Sequence, residues 1–141
     1  MGMKKIWEYY IPCNCLVDGI EIKEDKVFLD LYCRNDSRKT TICIIDGVSH
    51  TIEGEPLELR SNVEKRGELY VLKCYKGSGH KLWSRLVRAY VADMVCRGDY
   101  CIAAYVEPGN KLVIKMFDER GNTIETTSYN NAVSYTHLTL P

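Results

Sequence analysis

Short runs of β-branched and aromatic residues, separated by turn-forming residues, occupy most of this chain. In residues 26–34, Val27, Leu29 and Leu31 alternate with more polar positions, which is the period-2 pattern of a strand with one buried face. Asp46-Gly47 is a strong hairpin signal, because both residues tolerate positive φ. The charged residues 53–68 are predicted to be a long loop, with room for a short strand at residues 57–59. The predicted strands are residues 5–11, 16–22, 26–34, 41–45, 48–52, 68–75, 100–106, 111–117 and 123–127.

A different period begins after residue 79. Apolar residues recur at every fourth position in two adjacent series, and on a helix the two series form one broad apolar stripe. Ser78 suits the N-cap of such a helix, and Gly98 suits the position after its last turn. The sequence therefore predicts one long helix over about residues 79–97. The stripe expected to pack on the sheet contains Leu82, Leu86, Val87, Tyr90, Val91 and Met94.

These elements predict an α+β fold. With only one helix, most strand pairs must be antiparallel, since parallel pairing needs a crossover connection. A curled, mostly antiparallel sheet of about eight strands, packed on the single helix, is the expected arrangement. A small barrel of the oligonucleotide-binding type, with one helix, is the alternative. A length of 141 residues fits one domain.

The charged residues balance, with 19 lysines and arginines against 19 aspartates and glutamates. This balance argues against a strongly basic nucleic-acid-binding domain and against long-range attraction to anionic membranes. The sequence has no secretory signal pattern and no apolar run of the roughly 20 residues that a membrane helix needs. We therefore expect a soluble cytoplasmic protein that does not associate with membranes.

The chain has seven cysteines. An odd number, mostly within apolar strand-like runs, is typical of buried free thiols in a reducing compartment. Structural zinc sites usually need two closely spaced ligand pairs, whereas Cys13 and Cys15 form one short pair and Cys96 and Cys101 are five residues apart. The sequence therefore predicts free cysteines, no metal site and no cofactor.

No recognisable motif brings an acid, a base and a nucleophile together. Glu21 and Lys23 have the spacing of an E-x-K element of metal-dependent nucleases, but there the aspartate comes first, and Asp30 comes later here. His50 has no partner that the sequence indicates. No catalytic residue is predicted, and whether the chain is an enzyme stays open.

The interval from Leu69 to Ala92 has no acidic residue but contains five lysines and arginines and one histidine. On a helix, Lys81, Arg85 and Arg88 would lie opposite the apolar stripe, and the helix N-terminus would favour an anion. This basic helix face predicts a binding surface for nucleic acid or for an acidic protein surface. The predicted partner-binding residues are Lys73, Lys76, Ser78, His80, Lys81, Arg85 and Arg88.

Two functional classes follow. The first is a non-catalytic binding module that uses the basic helix face, and we favour it because no paired acid, base or nucleophile is evident. The second is a fragment of an enzyme whose catalytic residues are scattered or lie beyond the C-terminus. A basic face whose acidic partners come from elsewhere in the fold would instead be an ordinary solvated surface.

The last nine residues, 133–141, are similar to a translated reading frame of the transposase adapter used in shotgun sequencing libraries, GTC TCT TAT ACA CAT CTG ACG CTG CCG. The adapter begins two bases earlier with CT, and Ala132 is one of the four residues with codons ending in CT. We therefore expect that residues 133–141 are not native and that His137 takes no part in a site. Residues 1–132 are predicted to be a single α+β domain, truncated at its C-terminus.

Overall fold

The computed structural model describes residues 2–5, 15–33, 36–46, 58–109 and 111–129. Within these residues the chain is all-β, with eleven strands in three antiparallel sheets and no helix. The strands are β1 (Gly2–Lys5), β2 (Cys15–Lys23), β3 (Lys26–Cys33), β4 (Asp36–Asp46), β5 (Arg60–Arg66), β6 (Leu69–Tyr75), β7 (Lys81–Arg88), β8 (Val91–Arg97), β9 (Tyr100–Glu107), β10 (Lys111–Phe117) and β11 (Thr123–Tyr129).

The sheets form three layers. The first sheet has the strand order β1-β4-β3-β2, the central sheet β11-β10-β9-β8 and the third sheet β5-β6-β7. Apolar side chains of β2 and β3 pack on one face of the central sheet, and side chains of β6 and β7 pack on the other. Residues 100–106 of β9 are all buried, because this strand lies inside the central sheet with a layer on each side. That position explains why its sequence is a continuous apolar run rather than an alternating one.

The predicted helix over residues 79–97 is wrong, and with it both the α+β class and the one-helix barrel. The segment forms β7 and β8 instead, and the chain changes sheets at Ala89 and Tyr90. A spacing of four places residues on one face of a helix, but it also places them on one face of a strand, because four is a multiple of two. The periodicity was therefore ambiguous. Packing of Trp83 and Val87 against the central sheet favours the extended form.

The predicted long loop over residues 53–68 is also wrong in part, since residues 60–66 form β5. Its sequence is polar because β5 is an edge strand of the third sheet. Val63 packs on the core, and Ser61 Oγ donates a hydrogen bond to the Met94 carbonyl of β8 at 2.9 Å. Tertiary contacts therefore hold a segment that has little strand propensity of its own.

Several local predictions are confirmed. The alternation in β3 buries Val27, Leu29 and Leu31, and hairpin turns join β2 to β3 and β10 to β11. Gly98 has a φ of +58°, as its assignment to a left-handed position predicted, but it forms the turn between β8 and β9 rather than a helix end. The second strand of the Asp-Gly hairpin, residues 48–52, and the adapter-like residues 133–141 lie outside the described residues.

Candidate partner-binding surface

The predicted basic residues lie on β6, β7 and the turn between them. Because no helix begins at Ser78 in the structure, the expected helix dipole contributes nothing to anion binding there. Alternation along the two strands also divides the cations between two faces of the third sheet. Lys73 and Arg88 lie on the outer face, whereas Arg85 lies opposite the buried Leu72 on the inner face. The predicted helix face with Lys81, Arg85 and Arg88, and a single patch that joins it to Lys73, do not form.

Arg85 makes two contacts within the protein. Its Nη2 donates a hydrogen bond to the Gly121 carbonyl at 2.8 Å, and its guanidinium carbon lies 5.0 Å from the centre of the Phe117 ring. These contacts tie β7 to the turn that joins β10 to β11. Arg85 is therefore engaged within the protein by a hydrogen bond and a cation–π contact.

Lys73 and Arg88 have acidic partners from outside the basic segment. Lys73 Nζ lies 2.7 Å from Glu64 Oε2, and Arg88 Nη2 lies 3.2 Å from Glu68 Oε2. Glu64 also pairs with Arg66 at 3.2 Å, and hydrogen bonds from Lys73 and Arg66 lower the pKa of its carboxyl group. The interval from Leu69 to Ala92 has no acidic residue of its own, but Glu64 of β5 and Glu68 of the following turn supply partners for two of its cations.

The turn between β6 and β7 keeps exposed cations. Lys76, Ser78, His80 and Lys81, which we call the basic turn, are all exposed. The turn is closed by backbone hydrogen bonds from Lys76 N to His80 O at 2.9 Å and from Gly79 N to Lys76 O at 2.8 Å. In the part of the chain that the structure describes, Lys76 and Lys81 form no ion pair. Four of the seven predicted residues therefore remain together and accessible.

The sequence reading missed an apolar part of the same sheet. Leu86 was predicted to be core, but its side chain is 61% exposed on the outer face, where it lies opposite Val71. Leu69, diagonal to Leu86, is 36% exposed. We call the exposed Leu69 and Leu86, together with the buried Val71 beside them, the outer apolar strip. If residues 81–88 had been predicted as a strand, Leu86 would have been placed on the outer face, since it lies on the opposite side of the strand from the buried Trp83 and Val87.

Both carboxylates of the nuclease-like pattern, Glu21 and Asp30, form an ion pair with the same lysine. Lys39 Nζ of β4 lies 3.2 Å from Glu21 Oε2 and 3.7 Å from Asp30 Oδ1. Its hydrogen bond to Glu21 is the main reason that the pKa of Lys39 is raised. This arrangement is a cross-strand ion-pair cluster on the first sheet.

The prediction of free cysteines is wrong for one pair. Cys96 and Cys101 lie directly opposite each other on β8 and β9 and form a disulfide. Cys74 of β6 is a buried free thiol whose Sγ lies 3.5 Å from that of Cys101. Cys74 lies 27 residues before Cys101 in the sequence, so no motif linked it to the other two.

Comparisons with known proteins add no functional information. A scan against protein-family models found no match, and searches of curated proteins and of solved structures found nothing similar to this chain. None of the described residues belongs to a helix long and apolar enough to cross a membrane. The geometry of the sheets therefore carries the functional argument.

Proposed function

We propose that this chain is a non-catalytic interaction module that binds an acidic protein segment on the third sheet. The observation that carries the proposal is the exposure of Leu86, 61% accessible on a regular strand, on the same sheet as the basic turn. A large, exposed apolar side chain on an edge strand of the sheet, with charged residues beside it, has the composition of an interface centre with a polar rim.

The outer apolar strip and the basic turn would make different contributions to binding. Burial of Leu69 and Leu86 under a partner would contribute affinity, because apolar surface is removed from water. Lys76 and Lys81 would favour a partner with carboxylates placed beside its apolar residues. Charges at a rim mainly raise the association rate and exclude partners of the wrong sign. The proposed partner is therefore an acidic polypeptide that also carries apolar side chains.

A protein partner is favoured over nucleic acid by the number of cations left accessible. Lys73, Arg85 and Arg88 are each engaged by a group of the domain itself. Of the predicted binding residues, Lys76, Lys81 and His80 remain, and they would neutralise few phosphates, whereas nucleic-acid binding depends on many such contacts. The exposed leucines also have no role in a phosphate contact.

Fluorescence anisotropy with two labelled probes tests the proposal. One probe is a peptide of alternating glutamate and leucine, and the other is a single-stranded oligonucleotide. We expect the peptide to bind at low salt and to bind more weakly at moderate salt, because exposed charges are screened within about 10 Å at 0.1 M ionic strength. Lys76→Glu/Lys81→Glu and Leu86→Ser should each weaken peptide binding.

The matched control is Lys23→Glu/Lys26→Glu, which reverses two exposed lysines that face each other beside the turn between β2 and β3. This variant changes the net charge by the same amount on another sheet and should bind the peptide as the unmodified chain does. Equal weakening of peptide binding by both double variants would show that the effect depends on net charge alone and not on the basic turn. Tighter binding of the oligonucleotide than of the peptide would overturn the choice of partner.

A further inference from the structure

Three cysteine sulfurs form a compact cluster between the third and the central sheet. Cys74 comes from β6, Cys96 from β8 and Cys101 from β9, and the three Sγ atoms all lie within 4.8 Å of one another. Cys74 and Cys101 are buried, whereas Cys96 is half-buried. Among the residues that the structure describes, this is the one group of three histidine, cysteine or acidic side chains close enough to share a metal ion.

The arrangement of the sulfurs does not suit direct exchange between the Cys74 thiol and the disulfide. Attack on Cys101 requires the incoming and leaving sulfurs to lie on opposite sides of it. With Cys74 3.5 Å from Cys101 and a disulfide bond of about 2.05 Å, Cys74 and Cys96 would then be about 5.5 Å apart. They lie within 4.8 Å, so the sulfurs form a triangle rather than a line. Three sulfurs in a compact triangle can all contact one ion.

Trp83 supplies a second and independent observation. Its side chain is only 8% exposed, and its Nε1 has no well-formed hydrogen bond among the described residues. The indole N–H of Trp83 lies beside the Cys74 sulfur and has no other acceptor among the described residues. A thiolate at Cys74 would provide one, since the indole N–H is a donor only.

We propose that the reduced form of this cluster binds one Zn²⁺ ion through the thiolates of Cys74, Cys96 and Cys101. A dithiol reductant first transfers two electrons and two protons to the Cys96–Cys101 bond and becomes a disulfide; a phosphine does the same with one water molecule, which supplies the two protons and the oxygen of the phosphine oxide. Two thiols result in either case. Zn²⁺ then displaces one proton from each of the three thiols as the Zn–S bonds form. The ion joins β6 of the third sheet to β8 and β9 of the central sheet.

The distances and donor types agree with zinc. Tetrahedral Zn–S bonds of about 2.3 Å place neighbouring sulfurs about 3.8 Å apart, close to the 3.5 Å between Cys74 and Cys101. Breaking the disulfide lets Cys96 move away from Cys101 to a similar separation. Thiolates are soft ligands that zinc accepts and magnesium does not. Three protein ligands leave the fourth position of the ion for water or an added ligand.

The test uses the full chain, reduced with a phosphine that is then removed, and either Zn²⁺ or Mg²⁺. Native mass spectrometry should show one added Zn²⁺ and no Mg²⁺, and the thermal midpoint should rise with Zn²⁺ alone. Alkylation of the unmodified chain, followed by peptide mapping, should show that Zn²⁺ protects Cys74, Cys96 and Cys101. This mapping needs no variant, so it decides the proposal even where a substitution prevents folding.

Two variants and a control separate the ligands from the surroundings. Cys74→Ser should abolish Zn²⁺ uptake by the cluster, whereas Cys43→Ser, in β4 of the first sheet, should retain it. Trp83→Phe removes the donor to the thiolate and should weaken zinc binding by about 10- to 100-fold, as for other groups that orient a metal ligand. Protection of other cysteines, the same uptake by Cys74→Ser, or no uptake by the reduced chain would overturn the proposal.

Discussion

The Asp93 carboxylate accepts the backbone N–H of Ile22, with 2.9 Å between Oδ2 and the nitrogen. Asp93 lies on β8, the edge of the central sheet, and Ile22 lies on β2, the edge of the first sheet. The other oxygen, Oδ1, accepts the N–H of Met94 at 2.9 Å. A side chain therefore satisfies an edge N–H at the place where one sheet ends and another begins. This contact fixes the first layer against the central one.

Replacement of Asp93 by alanine should destabilise the fold. The substitution leaves the N–H groups of Ile22 and Met94 without their acceptors, and an unsatisfied partly buried donor costs about 1–3 kcal/mol. Urea unfolding of Asp93→Ala should show this loss. Asp18→Ala, an exposed aspartate on β2, is the control and should stay within about 0.5 kcal/mol of the unmodified chain. An equal effect of both substitutions would contradict the role given to Asp93.

The Asp93 carboxylate should also make the stability of the fold depend on pH, in the direction opposite to that of an ion-paired carboxylate. Burial raises the pKa of Asp93, and the N–H groups of Ile22 and Met94 oppose the rise only in part. Since the folded-state pKa lies above the unfolded one, protonation favours the folded state. As the pH falls from neutral through the folded-state pKa, the unmodified chain should gain stability relative to Asp93→Asn. Urea unfolding of both chains at a series of pH values measures the difference, and a relative loss on acidification would refute it.

Two leucines on adjacent strands of the third sheet should respond in opposite ways to truncation. Leu72 is fully buried between the third and central sheets, whereas Leu86 is 61% exposed on the outer face. Leu72→Ala should cost about 2–5 kcal/mol through lost burial and the cavity that remains. Leu86→Ala should change the unfolding free energy by less than about 0.5 kcal/mol. Comparable losses would restore the helical assignment, in which Leu86 belonged to the core.

Two arginines of β7 should also differ. Arg85→Ala removes a charged hydrogen bond to the Gly121 carbonyl and the contact with the Phe117 ring, and it should cost about 1.5–3 kcal/mol. Arg88→Ala removes an exposed ion pair with Glu68, for which about 0–1 kcal/mol is expected. Chemical denaturation measures both values. A larger loss for Arg88→Ala than for Arg85→Ala would mean that the two faces of β7 have been exchanged.

The alternation of side chains along a strand also explains why the predicted basic residues do not share one face. Sequence reasoning singled out the basic interval, but it placed the cations on one face because it assumed helical geometry. On a strand, Arg85 turns inward and Lys73 and Arg88 meet glutamates of β5 and the following turn. Glu64 comes close to Lys73 only after β5 pairs with β6, and Glu68 comes close to Arg88 only after β6 pairs with β7. A reading limited to the interval itself had no means of finding these pairs. The residues of the basic turn are exposed as predicted, because their exposure depends only on a local reversal of the chain.

The sequence by itself determined the elements whose signal is local: the alternating strand β3, the apolar strands β9 and β10, and turns such as the one at Gly98. Tertiary structure decided the state of residues 81–97, because a spacing of four fits a helix and a strand equally well. Burial of Trp83 and Val87 against the central sheet selected the strand. Layer stacking likewise decided that Cys74 meets Cys96 and Cys101, since three cysteines on different strands converge only when two sheets pack face to face.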